Sequence, residues 1–503
     1  MGMRATASSQ TQIVVLSNRE PYQHDLGADG GLRVLRCSSG VVNAVEPLLL
    51  ENSGVWVAAG SGEADRQTAI NADGVEVPPS SPRYRLRRVW LTDAEVKGYY
   101  YGFANSGLWP LCHRTSVTPT FYAQDFGIYE LVNRRFAEAV AEEARVPAPV
   151  VLVQDYHFAL APAMIRRQLP LSRIATFWHI PWPGPQAFRR CPWSNTVLEG
   201  LLGSTLVGFQ TPLDRDNFLR CAEQLTDVDV DNTVVHWKGR RVQLGVYPAS
   251  VQWPGEAATG APSIAACRAE VRRQLGVSEE IVIGLGVDRL DYTKGLEEKL
   301  LAVERMLECR PDLRQRFVFV QIAQPSREAL PAYRQTKERL FAAAERINQR
   351  FSGGAPPVVL LPSYHDQAAI TRYMRGADFC YVGSLHDGMN LVSKEFVAAR
   401  DDDRGVLVLS AYAGASHELR DALIVNPYDR EQSARSLAAA IDMPVLQQRF
   451  RMRRLRRAVA SFDARAWAAR LLDDVAHDSQ APARPLAPYR SAALVEVPVS
   501  RGL

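Results

Sequence analysis

Short apolar runs alternate with segments of helical periodicity twice along this chain, and few folds other than wound parallel sheets accept that pattern. The first series starts at Ile13-Val14-Val15-Leu16, a buried strand ending in Ser17-Asn18-Arg19. Residues 25–40 are glycine-rich and predict a mobile loop or hairpin, and Val41 to Leu50 has helical spacing. Val55 to Ala59, Val150 to Val153 and Ile174 to Trp178 read as further strands, with a helix over Ala159 to Gln168. A composition shift over Val251 to Pro262 marks a linker. The second series predicts strands at 281–287, 317–323, 357–361, 378–382 and 405–409, separated by helices at 295–308, 331–350, 366–376 and 391–400, with helical sequence over 431–475.

At 503 residues the chain is too long for one ordinary core, so two domains are expected. The apolar fraction of 47% and charged fraction of 23% are those of a globular protein. A net charge of +4 argues against a general nucleic-acid binder and suits anionic ligands. Seven scattered cysteines without CxxC spacing predict reduced thiols and a cytoplasmic setting. Met1 to Gln12 is polar and predicts no signal peptide, and no stretch is long and apolar enough to span a bilayer.

The most informative local sequence is Gly284-Leu285-Gly286-Val287-Asp288-Arg289-Leu290-Asp291-Tyr292-Thr293-Lys294-Gly295. It follows an apolar strand, so its cations are expected on the loop at the carboxyl end, where open α/β sheets bind ligands. An arginine that grips oxygens bidentately, with a lysine as a point charge, suits a diphosphate, although two solvated loop cations would give the same pattern. A distant stretch, Ser384-Leu385-His386-Asp387-Gly388-Met389-Asn390-Leu391-Val392-Ser393-Lys394-Glu395-Phe396, opens a predicted helix whose amides and dipole would also favour an anion.

Together these stretches resemble the trehalose-6-phosphate synthase family of retaining glycosyltransferases (family 20), over roughly residues 12–475. The resemblance implies an α/β, GT-B fold: two Rossmann-like doubly wound domains with the active site in the interdomain cleft. Residues 12–250 would form the acceptor domain, 251–465 the nucleotide-sugar domain, and 466–478 a helix crossing back, with a disordered 1–11 and a tail at 479–503.

Site residues follow from the same resemblance. Arg289 and Lys294 would neutralise the leaving diphosphate, with Gly388, Met389, Asn390 and Leu391 at the helix start. Asp387 would bond the donor sugar, and Glu395 the nucleotide ribose. Gly40, in Ser39-Gly40, would close over the donor phosphates; Gly30-Gly31 lies too early unless the loop carries an insertion. His179 would contact the donor sugar and support the reacting centre. Asp155 would orient the acceptor hydroxyl, while the leaving phosphate oxygen takes its proton; as a plain structural element it would cap the following helix. Arg19 and Arg327 would hold the acceptor's phosphate, and Tyr101 and Trp109 would line its pocket from a surface-near loop.

The reaction implied moves glucose from a nucleoside diphosphate glucose, UDP-glucose foremost, to glucose 6-phosphate. It needs no cofactor and no metal. Small molecules are the expected partners, with no nucleic acid and no membrane, and with room for a homo-oligomer. The overlapping DxD patterns of Asp227-Val228-Asp229-Val230-Asp231 are expected in a loop, away from the phosphate motifs. The basic run Arg449 to Arg457 reads as a solvated or interdomain face. Three departures stand out: Val57-Ala58-Ala59-Gly60 is small throughout where the family carries an aromatic residue, Ser61 to Arg66 is unusual, and His386 replaces an arginine. They predict a reshaped acceptor pocket and keep glycerol 3-phosphate, a cyclitol phosphate or a silent regulator as alternatives.

Overall fold

The computed structural model describes residues 12–476 except 28, 38–39, 53, 70–73, 255–259, 352 and 354. The expectations for 1–11 and 479–503 lie outside the described residues. Ten strands form one sheet, in the order 229–231, 234–237, 240–246, 206–209, 173–178, 150–154, 13–16, 54–59, 84–89 and 74–77. The seven from 240–246 to 84–89 run parallel, and the outermost strands on both sides add antiparallel. A second sheet of six parallel strands has the order 358–361, 317–324, 282–289, 379–382, 406–410 and 423–425. Strands such as Ile13–Leu16 and Phe379–Val382 are buried along their whole length, as parallel strands covered on both faces must be.

The glycine-rich segment forms a hairpin, Tyr22–Leu26 against Leu32–Arg36, and leads into the helix Gly40–Asn52. The span 430–476 is three helices, because Pro444 interrupts the first pair and Asp463 caps the last by accepting from the Ala466 amide at 2.8 Å. That last helix, Ala464–Ala476, lies on the ten-stranded sheet. Trp467 donates to the Tyr247 carbonyl at 3.1 Å, and the Tyr247 hydroxyl donates to Asp474 at 2.8 Å. Among the described residues no helix is long and apolar enough to cross a membrane.

One expectation is overturned. Residues 101–110 are not a surface loop: Val96–Leu108 is a wide-turned π-helix that runs into the helix Trp109–His113. Asn105 and Ser106, which read as loop formers, donate their side chains to the Tyr100 and Tyr101 carbonyls five residues back. Asn105 also accepts from the Tyr156 hydroxyl at 2.8 Å, so its burial leaves both ends of the amide paired.

A buried charge cluster ties the hairpin to the sheet. Arg88, fully buried, donates to Glu20 at 2.7 Å, lies 2.9 Å from Asp65, and reaches the Tyr22 carbonyl at 3.1 Å. Burial, reinforced by Asp65, pushes the Glu20 carboxyl up to about 7, because one guanidinium cannot neutralise two carboxylates. Replacing Arg88 with Met strands both acids in the core. We expect about 3–5 kcal/mol lost in denaturant titrations of Arg88→Met. Adding Glu20→Gln and Asp65→Asn should recover much of it, and a variant as stable as the parent would show that the cluster does not support the fold.

Candidate functional site

Both sheets aim their carboxyl edges at one cleft. Arg289 is the last residue of strand Val282–Arg289, not part of the loop expected after 287, and Lys294 ends the short turn Tyr292–Lys294 ahead of helix Leu296–Cys309. Lys294 Nζ lies 2.5 Å from Asp387 Oδ2, and Ser384 and Asn390 each donate to the same oxygen at 3.2 Å. Burial works to raise the Asp387 pKa, but the Lys294 charge and these hydrogen bonds overcome it and hold the carboxyl below its usual range. Asn390 then caps helix Leu391–Ala399 by accepting from the Ser393 amide. Gly388 meets the other half of the molecule: a Cβ there would lie 2.2 Å from the His179 carbonyl oxygen, so a side chain would force the halves apart.

Arg327 forms the other half of the cleft. It rises from the loop after strand Phe317–Gln324 and enters the ten-stranded half. Its guanidinium donates to Tyr333 at 2.7 Å, Tyr156 at 3.1 Å and Tyr100 at 3.4 Å, and sits 4.3 Å over the Trp109 ring. Beneath it lies Asp291, fully buried, 3.5 Å from Arg327 and 3.6 Å from Arg289. Burial opposes ionisation of Asp291, yet Arg289, Arg327 and Lys294 together hold its pKa low. Arg19 is exposed at the end of the first strand, and its side chain makes no hydrogen bond or ion pair among the described residues. The Tyr100 hydroxyl senses the three arginines. Burial would raise its pKa, but Arg327, Arg19 and Arg289 bring it down to about 8.

Asp155 and His179 occupy adjacent strand ends. Asp155 Oδ1 accepts from the Tyr156 amide at 3.0 Å and the His179 amide at 3.2 Å. It therefore caps a short turn, as the structural reading allowed, but only one carboxylate oxygen is used. Burial pushes the Asp155 pKa up to about 7 against those hydrogen bonds and the nearby arginines. The His179 ring sits 2.9 Å from Gln154, and burial pushes its pKa down to about 3, so it is a neutral hydrogen-bonding group. Among the described residues seven non-glycine positions have positive φ, and Asp155 (74°), Arg327 (47°) and Asn390 (71°) are three of them. Such backbone concentrates at functional sites.

Gly40 begins its helix directly against Leu391, and the two border a cleft of about 580 Å³ shared with Asn43, Ser250, Gln252, Gln367, Thr371 and Glu395. The Glu395 carboxylate has no hydrogen-bond partner among the described residues, and burial pushes its pKa up to about 7. Met389 is buried behind the Asp387 loop.

The structure gathers Arg289, Lys294, Asp387, Arg327 and Trp109 around one cluster and Gly40, Leu391 and Glu395 around the adjoining cleft. Tyr101 does not join the arginine cluster: its ring stands edge-on to Tyr100, and Tyr100 makes the contact. One helical step turns a side chain by about a quarter of a circle, so a one-residue shift changes the face. Tyr100, Tyr156, Tyr333 and Asp291 were not singled out from sequence. His386 bonds the His113 carbonyl across the cleft at 2.7 Å. Asp229 and Asp231 lie on an exposed edge strand, not a loop, remote in topology from Arg289. Among the described residues no group of three or more His, Cys, Asp or Glu is placed to hold a metal ion. The basic run pairs locally, Arg453 with Asp403 at 2.8 Å and Arg454 with Asp421 at 2.9 Å.

Known proteins share this sequence pattern and fold. The model for glycosyltransferase family 20 matches residues 11–477. A trehalose-6-phosphate synthase of Mycobacterium sp. (strain KMS) is 37% identical over 500 residues, covering 96% of this chain and 99% of that protein. One from Mycolicibacterium smegmatis is 36% identical over 487 residues, covering 94% and 93%. An E. coli structure bound with UDP-2-fluoro glucose superposes with a TM-score of 0.82 at 31% identity, covering 92% of this chain and 99% of the other. A UDP-forming α,α-trehalose-phosphate synthase from Burkholderia xenovorans in complex with glucose 6-phosphate gives 0.80 at 29% identity, covering 92% and 100%. A match of this extent, on two facing Rossmann-like sheets, means that the chain belongs to glycosyltransferase family 20 and has its GT-B fold.

Proposed function

We propose that the protein is a retaining glucosyltransferase that moves glucose from UDP-glucose to glucose 6-phosphate, giving α,α-trehalose 6-phosphate and UDP. The observation that carries this reading is a pair of cationic sets that meet at Asp291. Arg289, Lys294 and the start of helix Leu391–Ala399 suit a diphosphate, and Arg19, Arg327 and Tyr100 suit a second phosphate. The ligands named for the E. coli and Burkholderia structures, a UDP-glucose analogue and glucose 6-phosphate, are the two that these sets would hold. On this reading residues 12–250 carry the acceptor and 251–465 the nucleotide sugar.

Charge grows on the leaving diphosphate as the glycosidic bond breaks, and Arg289 and Lys294 are already in place to receive it. Asp387 would hold the sugar hydroxyls while its pair with Lys294 keeps it ionised. His179, neutral, would bond a donor hydroxyl and would not titrate during turnover. The free oxygen of Asp155 would orient the acceptor hydroxyl, whose proton passes to the departing phosphate oxygen. Protein cations supply all the positive charge this scheme needs, so we propose a metal-independent reaction. All seven cysteines are free thiols, in keeping with a cytoplasmic enzyme.

A different phosphorylated acceptor is the second reading. Ala59 and Gly60 leave room that Trp90, at the end of the adjacent strand, fills: a Cβ on Gly60 would lie 2.3 Å from its ring. On this reading an aromatic ring from another strand would face the acceptor.

Three measurements test these assignments. UDP release from UDP-glucose in EDTA should require glucose 6-phosphate. Release only with glycerol 3-phosphate or a cyclitol phosphate would move the second reading first, and dependence on added metal would overturn the metal-free scheme. Arg289→Ala and Lys294→Ala should each lower kcat about 10²- to 10³-fold, the loss of about 3–4 kcal/mol of charge stabilisation. Unchanged turnover would remove the diphosphate assignment. The third concerns pH. Ionised Asp155 accepts a hydroxyl hydrogen more strongly than the protonated acid, and its pKa is pushed up to about 7, so kcat/KM for the acceptor should rise as pH increases through about 7. Asp155→Asn should be slower and should lose that rise; a variant that keeps it would assign the titration elsewhere.

A further inference from the structure

The cleft beside Glu395 holds a second polar group without a partner. Ser250 is 2% exposed, and its hydroxyl has no hydrogen-bond partner among the described residues. Buried hydroxyls are nearly always paired, so an unpaired one on a cleft wall marks where a ligand group belongs.

The main chain around Ser250 is fixed from both halves of the molecule. The Ala249 amide donates to Gln210 Oε1 at 2.9 Å, the Ala249 carbonyl accepts from Lys394 Nζ at 2.8 Å, and the Val251 carbonyl accepts from the Ala464 amide at 2.9 Å. The serine therefore offers its hydroxyl from a rigid frame. Lys394, next to Glu395 in sequence, spends its charge on Glu418 at 2.7 Å and on that carbonyl, which leaves Glu395 without a counter-ion.

The chemistry of the lining selects the ligand. Among the lining residues Glu395 alone is charged, and Ser250, Asn43, Gln252, Gln367 and Thr371 are neutral and polar. With no Lys or Arg in that wall, a phosphate is disfavoured. A carboxylate beside a hydroxyl suits a vicinal diol. Each diol hydroxyl offers one hydrogen and accepts another. Ionised Glu395 can only accept, so a diol bound to it still lacks a donor, and Ser250 supplies one.

We infer that Ser250 is a specificity-determining residue that donates a hydrogen bond to a ribose hydroxyl whose own hydrogen Glu395 accepts. This rests on reading the cleft as the nucleoside site of the donor. It makes the segment between the two sheets part of the nucleotide's recognition surface.

Calorimetric titration with UDP and with 2′,3′-dideoxy-UDP separates the possibilities. The parent should bind UDP more tightly than the dideoxy compound. Ser250→Ala and Ser250→Gly should weaken UDP binding about five- to tenfold, the loss of one neutral hydrogen bond, and leave dideoxy-UDP binding unchanged. Equal weakening of both ligands, or no weakening, would overturn the inference by making the serine structural or idle. If Glu395→Gln abolishes the parent's preference for UDP while Ser250→Ala retains it, the nucleoside site stands and the role of Ser250 falls. A parent that binds UDP and dideoxy-UDP equally, or binds none of UDP, ADP and GDP, would remove the nucleoside reading itself and the inference with it.

Discussion

The site depends on one buried carboxylate. Arg289 and Arg327 lie 3.6 and 3.5 Å from Asp291, with Lys294 on the turn that follows, and like charges gathered in this way repel one another. At an effective dielectric of about 20, a pair at about 4 Å costs about 4 kcal/mol. Asp291 offsets this from below, with its other oxygen held by the Thr293 amide and hydroxyl, each at 3.0 Å. Asp387 does the same for Lys294. The cluster still carries more positive than negative charge, and it is the substrates' phosphates that would complete the balance. The protein thus holds an excess of positive charge in place, which is the preorganisation that transfer from a diphosphate demands.

The same cluster explains why neither half suffices. Arg327 belongs to the six-stranded half, yet Tyr100, Tyr156 and Trp109 belong to the other. Gly388 presses on the His179 carbonyl, and His386 bonds that of His113. Each contact joins a loop at the carboxyl edge of the six-stranded sheet to the other half, at a strand end for Tyr156 and His179 and on the helices Val96–Leu108 and Trp109–His113 for Tyr100, Trp109 and His113. The helix Ala464–Ala476 and the Lys394–Ala249 bond secure the pairing at the far side. A movement that opened the cleft would separate Arg327 from Tyr100 and Tyr156, so the electrostatics around this arginine are tied to the approach of the two halves.

Much of this was legible in the chain. The strands lie where apolar runs stand, because fully buried parallel strands need continuous hydrophobic sequence, and Arg289, Lys294, Asp387 and Glu395 lie in local motifs tied to strand ends and a helix start. What could not be read is what depends on distant partners. Asn105 looks like a loop residue until Tyr156 and the Tyr100 carbonyl are found to pair both ends of its amide. Tyr100 and Tyr101 are indistinguishable until the helix fixes which face meets Arg327. Asp291 reads as a polar loop residue, and its role appears only when an arginine 36 residues later folds over it. The hydroxyl of Ser250 gains meaning from Glu395, on a helix of the other half.

The sequence departures near the acceptor side form one structural unit. Strand Gly54–Ala59 pairs with Tyr84–Val89 so that Ala59 lies opposite Val89, which sets Trp90 beside Gly60 and excludes a side chain there. The chain then turns: the Ser61 amide donates to Glu20 at 2.9 Å, and the Gly62 amide donates to Asp65 at 2.6 Å. Arg66, next in line, stacks 4.5 Å over Trp90. The small residues and the run Ser61 to Arg66 are therefore required by one another, since only a compact turn can wrap around two buried acids held by Arg88. Glu20 directly follows Arg19, so the same unit also fixes the backbone carrying an arginine proposed to hold the acceptor's phosphate. One turn thus holds both the Trp90 ring and the backbone of Arg19, while Arg289 is anchored separately at a strand end of the other sheet.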